Sequence, residues 1–203
     1  MPIEAPMVAI LDAMLAAVPF DGWTVGALRQ AMAGLGQDPA DAPLMFPGGP
    51  GEMIEAFCTL ADERMVARAE AADLSAYGLT GRVRSVLGIR FEQNRAHKAA
   101  IRRALAWLAL PMQARRAARI TAATVDAVWF AAGDKSADFS WYTKRGILAG
   151  VYASTLLFWV QDASDEDEET MRFLDRRLGD VGKIGKLRGR LQGGLRGGRR
   201  RKT

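Results

Sequence analysis

WFAAGDKSADFSWYTKRGILAGVYASTLLFW, residues 129–159, reads as the end of one helix, a turn and the start of the next. Gly133 closes the first helix and Asp134–Asp138 forms the turn. Phe139, Trp141, Tyr142 and Tyr152 follow, with Lys144 and Arg145 among them. Trp and Tyr pair an apolar body with a polar tip, so a cluster of them beside cations suits an interface better than a plain core. Outward from this stretch the texture repeats. Alanine-rich segments with a 3.6-residue apolar period dominate, and strand signals are nearly absent, which predicts an all-α fold.

The expected helices follow in order. Met7–Val18 is the first, closed by Pro19. Thr24 caps a second that runs to about Leu35. The proline-rich segment Gly36–Pro50 has room for one short helical turn. Glu52–Ala72 is long and amphipathic, with Ile54, Phe57, Met65 and Val66 among its apolar positions. A helix from Thr80 carries Arg82, Arg84 and Arg90 on one side and Val83, Val86, Leu87 and Phe91 on the other. His97–Leu108, Met112–Ala132, Ser136–Val160 and Asp165–Lys183 complete the bundle, with a break at Pro111. Residues 1–72 form an N-terminal module with its linking helix, 73–182 a helical domain, and 183–203 a tail.

Charge is unevenly spread. The net charge is +5, yet Arg188, Arg190, Arg196, Arg199, Arg200, Arg201 and Lys202 crowd the tail, just after an acidic run from Asp162 to Glu169. In the Gly-rich tail, Ile184, Leu187, Leu191 and Leu195 are spaced three, four and four apart, which places them on one face of a helix. An apolar stripe with a cationic flank is the pattern of an interfacial helix on a membrane surface, with a disordered solubilising tail as the alternative. Glycine opposes the helix by about 1 kcal/mol per residue in water. The longest apolar run, Ile147–Val160, is too short to cross a bilayer. The N-terminus shows neither a secretory signal nor an obvious transit peptide, so the expectation is a bacterial cytoplasmic protein, peripheral on the inner membrane. A single cysteine, Cys58, makes no internal disulfide and fits a reducing compartment.

No catalytic set is visible. Walker-type phosphate loops and GxSxG are absent. One histidine, His97, cannot supply a di-iron bundle or, with one cysteine, a zinc site. His97 reads as a helix-start residue, and Glu52, Glu55, Asp62 and Glu63 as a solvated face. GGPGE, residues 48–52, reads as a turn and cap. No metal, cofactor or enzymatic activity is expected. Thr24–Phe57 has the layout of a helix-turn-helix module, but its recognition stretch, QDPADAPLMF at 37–46, has two acidic residues and no Lys or Arg. DNA affinity rests largely on cations meeting phosphate, so nucleic acid is not the expected partner and the module is degenerate.

Two candidate sites remain. The helices flanking the 134–138 turn mix large and small apolar residues, which either close-pack or leave a dry cavity for an apolar ligand. Val125, Val128, Leu148, Val151, Tyr152 and Leu156 are the candidate lipid-contacting residues. Trp141, Tyr142 and Arg145 are candidates for an outward patch, with Asp138 at a helix N-terminal position.

AGDKSADFSWYTKR, with HKAAIRRALAWLALP upstream and FLDRRLGDV downstream, resembles the ubiquinone-biosynthesis lipid-binding accessory family. The likeness covers about Thr80–Val181 closely and Met7–Ala72 loosely. It implies a TetR-like helical bundle that is not an enzyme. It implies an isoprenoid or quinone lipid as ligand, a membrane surface reached through the tail (Ile184, Leu187, Leu191, Leu195), and a demethoxyubiquinone hydroxylase as partner. The family's hydroxylase-contacting patch falls on Asp126, Trp129, Asp138, Trp141, Tyr142 and Arg145. A homodimer is expected by analogy with TetR-like folds, and a TetR-type ligand-responsive regulator is the alternative.

Overall fold

The chain, in a computed structural model that describes residues 3–134 and 140–180, is helical throughout with no strand among the described residues. Helix α1 spans Ala5–Asp21, α2 Val25–Gly34, α3 Ala42–Met45, α4 Pro50–Ala71, α5 Leu79–Glu92, α6 Lys98–Leu108, α7 Ala114–Ala131 and α8 Ser140–Trp159. Residues 168–180 form α9.

Local chemistry sets these ends. The Thr24 hydroxyl accepts from the Ala27 N–H at 3.1 Å and starts α2. Pro19 does not stop α1, contrary to the sequence expectation. It lies in the last turn, where its ring costs one hydrogen bond, and the helix closes only at Gly22, whose φ of 71° lets its N–H reach the Val18 carbonyl. Gly49, at φ 64°, turns the chain into α4, and the Gly48 N–H donates to Glu52 at 2.6 Å, so GGPGE is a turn and cap.

Two apolar clusters share the long α4. The first joins Ile10, Leu11 and Met14 of α1, Leu28 and Met32 of α2, and Met53, Ile54 and Phe57 of α4. It also takes Ala100 and Ala104 of α6, and the Trp23 indole N–H donates to the Ala100 carbonyl at 3.1 Å. So α6 packs on the N-terminal module as well as on the helical domain. The second cluster joins Met65 and Ala69 at the far end of α4 to Val83, Val86 and Leu87 of α5, Val125 and Val128 of α7, Leu148, Val151, Tyr152 and Trp159 of α8, and Leu174 of α9.

The acidic run after α8 is structural. The Asp162 carboxylate accepts from the Ser164 and Thr170 backbone N–H groups and the Thr170 hydroxyl, which holds its pKa down at about 2. Asp167 is buried and pairs with Arg95 and Lys98, tying the α8–α9 connection to the start of α6. Two carboxylates on α4 are also not the solvated face the sequence suggested. Glu55 pairs with Arg116 and Arg119 of α7. Asp62 is buried, 3.2 Å from the buried Arg90 of α5, and accepts from the Thr124 hydroxyl at 2.9 Å. Arg90 therefore lies on the inner face of α5, not among the outward arginines.

Candidate functional site: an apolar cavity and an aromatic face

Helices α4 to α8 enclose a cavity of about 280 Å³. Phe57 and Cys58 come from α4, Arg90 and Phe91 from α5, Leu105 and Leu108 from α6, Ile120 and Thr121 from α7, and Tyr152, Ala153 and Leu156 from α8. Several of the lining residues are alanines (Ala104 of α6, Ala109 just after it, Ala117 of α7, Ala153 of α8), too short to fill the space between the helices. Phe91 and Trp159 close one end, with ring centroids 5.4 Å apart.

The wall is apolar with a polar group at one side. Arg90 lies there with Tyr152 against its guanidinium, and its Nη1 has no hydrogen-bond partner among the described residues. Asn94 is held by its own bond to the Arg90 carbonyl at 2.8 Å. Burial raises the Tyr152 phenol pKa above its ordinary value, outweighing the charge of Arg90, and pushes the Cys58 thiol up to about 12. Cys58 thus stays protonated and is no nucleophile at neutral pH. Burial also depresses His97, which sits at the start of α6. Among the described residues no cluster of His, Cys, Asp or Glu could hold a metal ion. Such a site can bind an apolar molecule and offer one cationic donor to an oxygen atom. It presents no nucleophile–base pair.

The expected ligand residues divide. Tyr152 and Leu156 line the cavity. Val125 and Val128 do not reach it, because both point into the packed interior of the second cluster. Leu148 and Val151 instead wall a smaller cleft of about 160 Å³ with Trp129 and Lys144. The α6 and α7 walls were missed. Ile101, Leu105 and Leu108, at spacings of four and three, were the available signal: an apolar stripe on α6, which the fold leaves half-buried along the cavity.

The patch residues converge on the α7–α8 face. Arg145 pairs with Asp126 across the two helices. Trp129 is half-buried with Lys144 5.9 Å above its ring, and Lys144 also reaches Asp134 at 3.5 Å. Tyr142 is 76% exposed and Phe130 67%. Asp138, the side chain of Trp141, and the tail residues Ile184, Leu187, Leu191 and Leu195 lie outside the described residues.

The family model described as COQ9 matches residues 114–185, from the start of α7 past the end of α9. The mitochondrial ubiquinone biosynthesis protein coq9 of Schizosaccharomyces pombe is 30% identical over 187 residues, covering 92% of this chain and 74% of that protein. This chain belongs to the COQ9 family. The rat mitochondrial ubiquinone biosynthesis protein COQ9 is 34% identical over 188 residues, covering 87% of this chain, and the human one 33% over 183. The chain matches 58% of the rat protein's length and 57% of the human one's. A crystal structure of a TetR transcriptional regulator from Nitrosomonas europaea superposes with a TM-score of 0.71 at 22% identity, covering 88% of this chain and 99% of that one. The fold is thus TetR-like, as the family resemblance implied. No described helix of this COQ9-family chain is long and apolar enough to cross a membrane.

Proposed function

We propose that this chain serves ubiquinone biosynthesis as a lipid-binding accessory protein, not an enzyme, that presents a polyprenyl quinone intermediate to the demethoxyubiquinone hydroxylase at a membrane surface. The observation that carries the reading is the apolar cavity, in a chain of this family whose α7–α8 pair also presents an exposed aromatic face. Its volume is near the low end for small-ligand sites, roughly 300–1,000 Å³. It suits a quinone head or a short stretch of tail, with the remainder at the mouth. Arg90 offers a donor to a ring oxygen. The physical task is real, since a prenyl tail favours lipid by about 0.8 kcal/mol per CH₂, and a dry cavity offsets that loss when the head leaves the bilayer.

In this reading Tyr142, Trp129 and the Asp126–Arg145 pair, with Asp138 and Trp141, grip the hydroxylase, and the basic tail attracts the protein to anionic lipid. A homodimer and a peripheral place on a bacterial inner membrane belong to the same proposal. The other reading, a TetR-type ligand-responsive regulator, draws on the fold alone. It is opposed by residues 37–46, where the position of a recognition helix is reduced to the single turn α3 beside Asp38 and Asp41.

Organic extraction of the purified full chain, followed by mass spectrometry, is expected to yield a prenylated quinone or related isoprenoid. Extracts holding only detergent or nothing apolar would remove the lipid role. Tyr142→Lys should weaken capture of the hydroxylase about tenfold or more, as loss of a central aromatic anchor does. Its helical circular dichroism should stay unchanged, because the side chain is exposed. Undiminished capture would reject the patch.

A further inference from the structure

The corner between α6 and α7 carries features that the proposed function does not use. From Gln93 to Val125 the sequence holds no Asp or Glu, while Arg95, Lys98, Arg102, Arg103, Arg115, Arg116 and Arg119 fall within it. Four of these cations are paired with two carboxylates from elsewhere: Arg95 and Lys98 with Asp167, Arg116 and Arg119 with Glu55. Three are not. Arg102 donates to the backbone carbonyl of Val160 and Arg103 to those of Pro19 and Phe20, and Arg115 is exposed with no carboxylate partner among the described residues. Between them the corner exposes two large apolar side chains, Met112 at 81% and Leu110 at 45%.

The corner is also where the cavity comes to the surface. Leu108 and Ala109 on one side of the corner and Ala117 on the other all line the hollow, and Ala109 is exposed. An apolar tip with the uncompensated Arg115 beside it and Arg102 and Arg103 farther back along α6, at the edge of an apolar cavity, matches the layered chemistry of an anionic bilayer surface, with phosphates outside and acyl chains beneath.

We propose that the α6–α7 corner is a membrane-docking face separate from the basic tail. Leu110 and Met112 enter the headgroup–acyl boundary of an anionic bilayer. Arg115 meets the lipid phosphates, and Arg102 and Arg103, farther from the tip, add attraction at longer range. The Ala109 rim of the cavity is then held against the membrane, so that a lipid passes between bilayer and cavity without crossing water. Only this last step rests on the cavity being a lipid site, and docking stands without it.

The test is vesicle co-sedimentation of the full chain carrying Leu110→Asp and Met112→Asp together, beside a full chain carrying Leu187→Asp and Leu191→Asp in the tail. Vesicles are phosphatidylcholine with or without phosphatidylglycerol. The corner variant should bind anionic vesicles roughly tenfold or more weakly with an unchanged circular dichroism spectrum, and combining it with the tail variant should weaken binding further. Arg115→Gln alone should cost about fivefold, an effect that shrinks at high salt. Equal binding by corner variant and unsubstituted chain, in both the native and the tail-substituted background, overturns the proposal. So does unchanged vesicle binding with loss of a concentration-dependent dimer, which would assign the corner to a second copy of the chain. Extracted lipid, measured in parallel, separates the two readings. Docking through the corner with no lipid in the unsubstituted chain removes the cavity function and leaves the docking face.

Discussion

Replacing Asp62 by alanine is expected to destabilise the fold by about 3–5 kcal/mol, a fall in Tm of roughly 6–20 °C. The carboxylate projects from α4 to within 3.2 Å of Arg90, and both side chains are almost closed to solvent. Removing it leaves a guanidinium buried with no counter-charge. The opposite deletion, Arg90→Met, should behave differently, because a carboxyl can shed its charge and a guanidinium cannot. Burial is the largest influence on Asp62 and raises its pKa above the ordinary 3.8, against the pull of Arg90 and of the Thr124 hydroxyl. Losing Arg90 raises it further. A native pKa above the unfolded one means that the folded state holds more protons in the interval between them. Stability therefore falls as pH rises through that interval and is fullest below 3.8. Relative to the parent at each pH, Arg90→Met should be nearly neutral in acid and should lose stability toward pH 7. Thermal melts across that range measure it, and a pH-independent difference would reject the assignment. Replacing both, Asp62→Leu with Arg90→Met, should recover most of the loss, since apolar packing substitutes for a buried pair at little cost.

That pair marks the boundary of what the sequence made legible. Period and punctuation served for most of the helices: Thr24 did cap α2, the 36–50 segment does hold only short turns, and Pro111 does separate α6 from α7, while Pro19 failed to close α1. Charge misled. Arg90 falls three and four residues after Leu87 and Val86, which is the buried face of α5, yet a guanidinium inside a core requires a partner from another helix, and no local pattern reveals one. Asp62 was assigned to solvent for the same reason. Asp167, in an acidic run that the sequence presented only as a block of charge, is likewise anchored from afar, by Arg95 and Lys98 some seventy residues earlier. The cavity was half legible. Tyr152 and Leu156 were found because α8 is rich in large apolar residues, whereas Val125 and Val128 are equally apolar and simply pack. Whether a residue fills space or borders a void depends on how far apart the backbones lie, and the alanines along the hollow are too short to close it. Their effect is to leave volume empty, which no residue type announces.

Filling that volume is the sharper test of the site, and its two readouts should move in opposite directions. Ala153 lines the cavity from α8 and is half-buried, so a phenylalanine there grows into empty space. A large substitution in a packed core costs about 1–3 kcal/mol through strain. In a void it gains contacts instead, and cavity-filling changes commonly add roughly 0.5–2 kcal/mol. Ala153→Phe should therefore melt no lower than the parent, while lipid recovered by extraction falls to a small fraction of the parent's. Ala117→Phe, entering the same hollow from α7, should reproduce the result from the other wall. Neither substitution touches Tyr142 or the Asp126–Arg145 pair, so capture of the hydroxylase should persist, separating carriage of the ligand from docking to the enzyme. Two outcomes would oppose the cavity. A sharp loss of stability would show the hollow to be closed in solution. Full lipid content in a stable variant would place the ligand elsewhere, with the cleft walled by Trp129, Leu148 and Val151 the next location to fill.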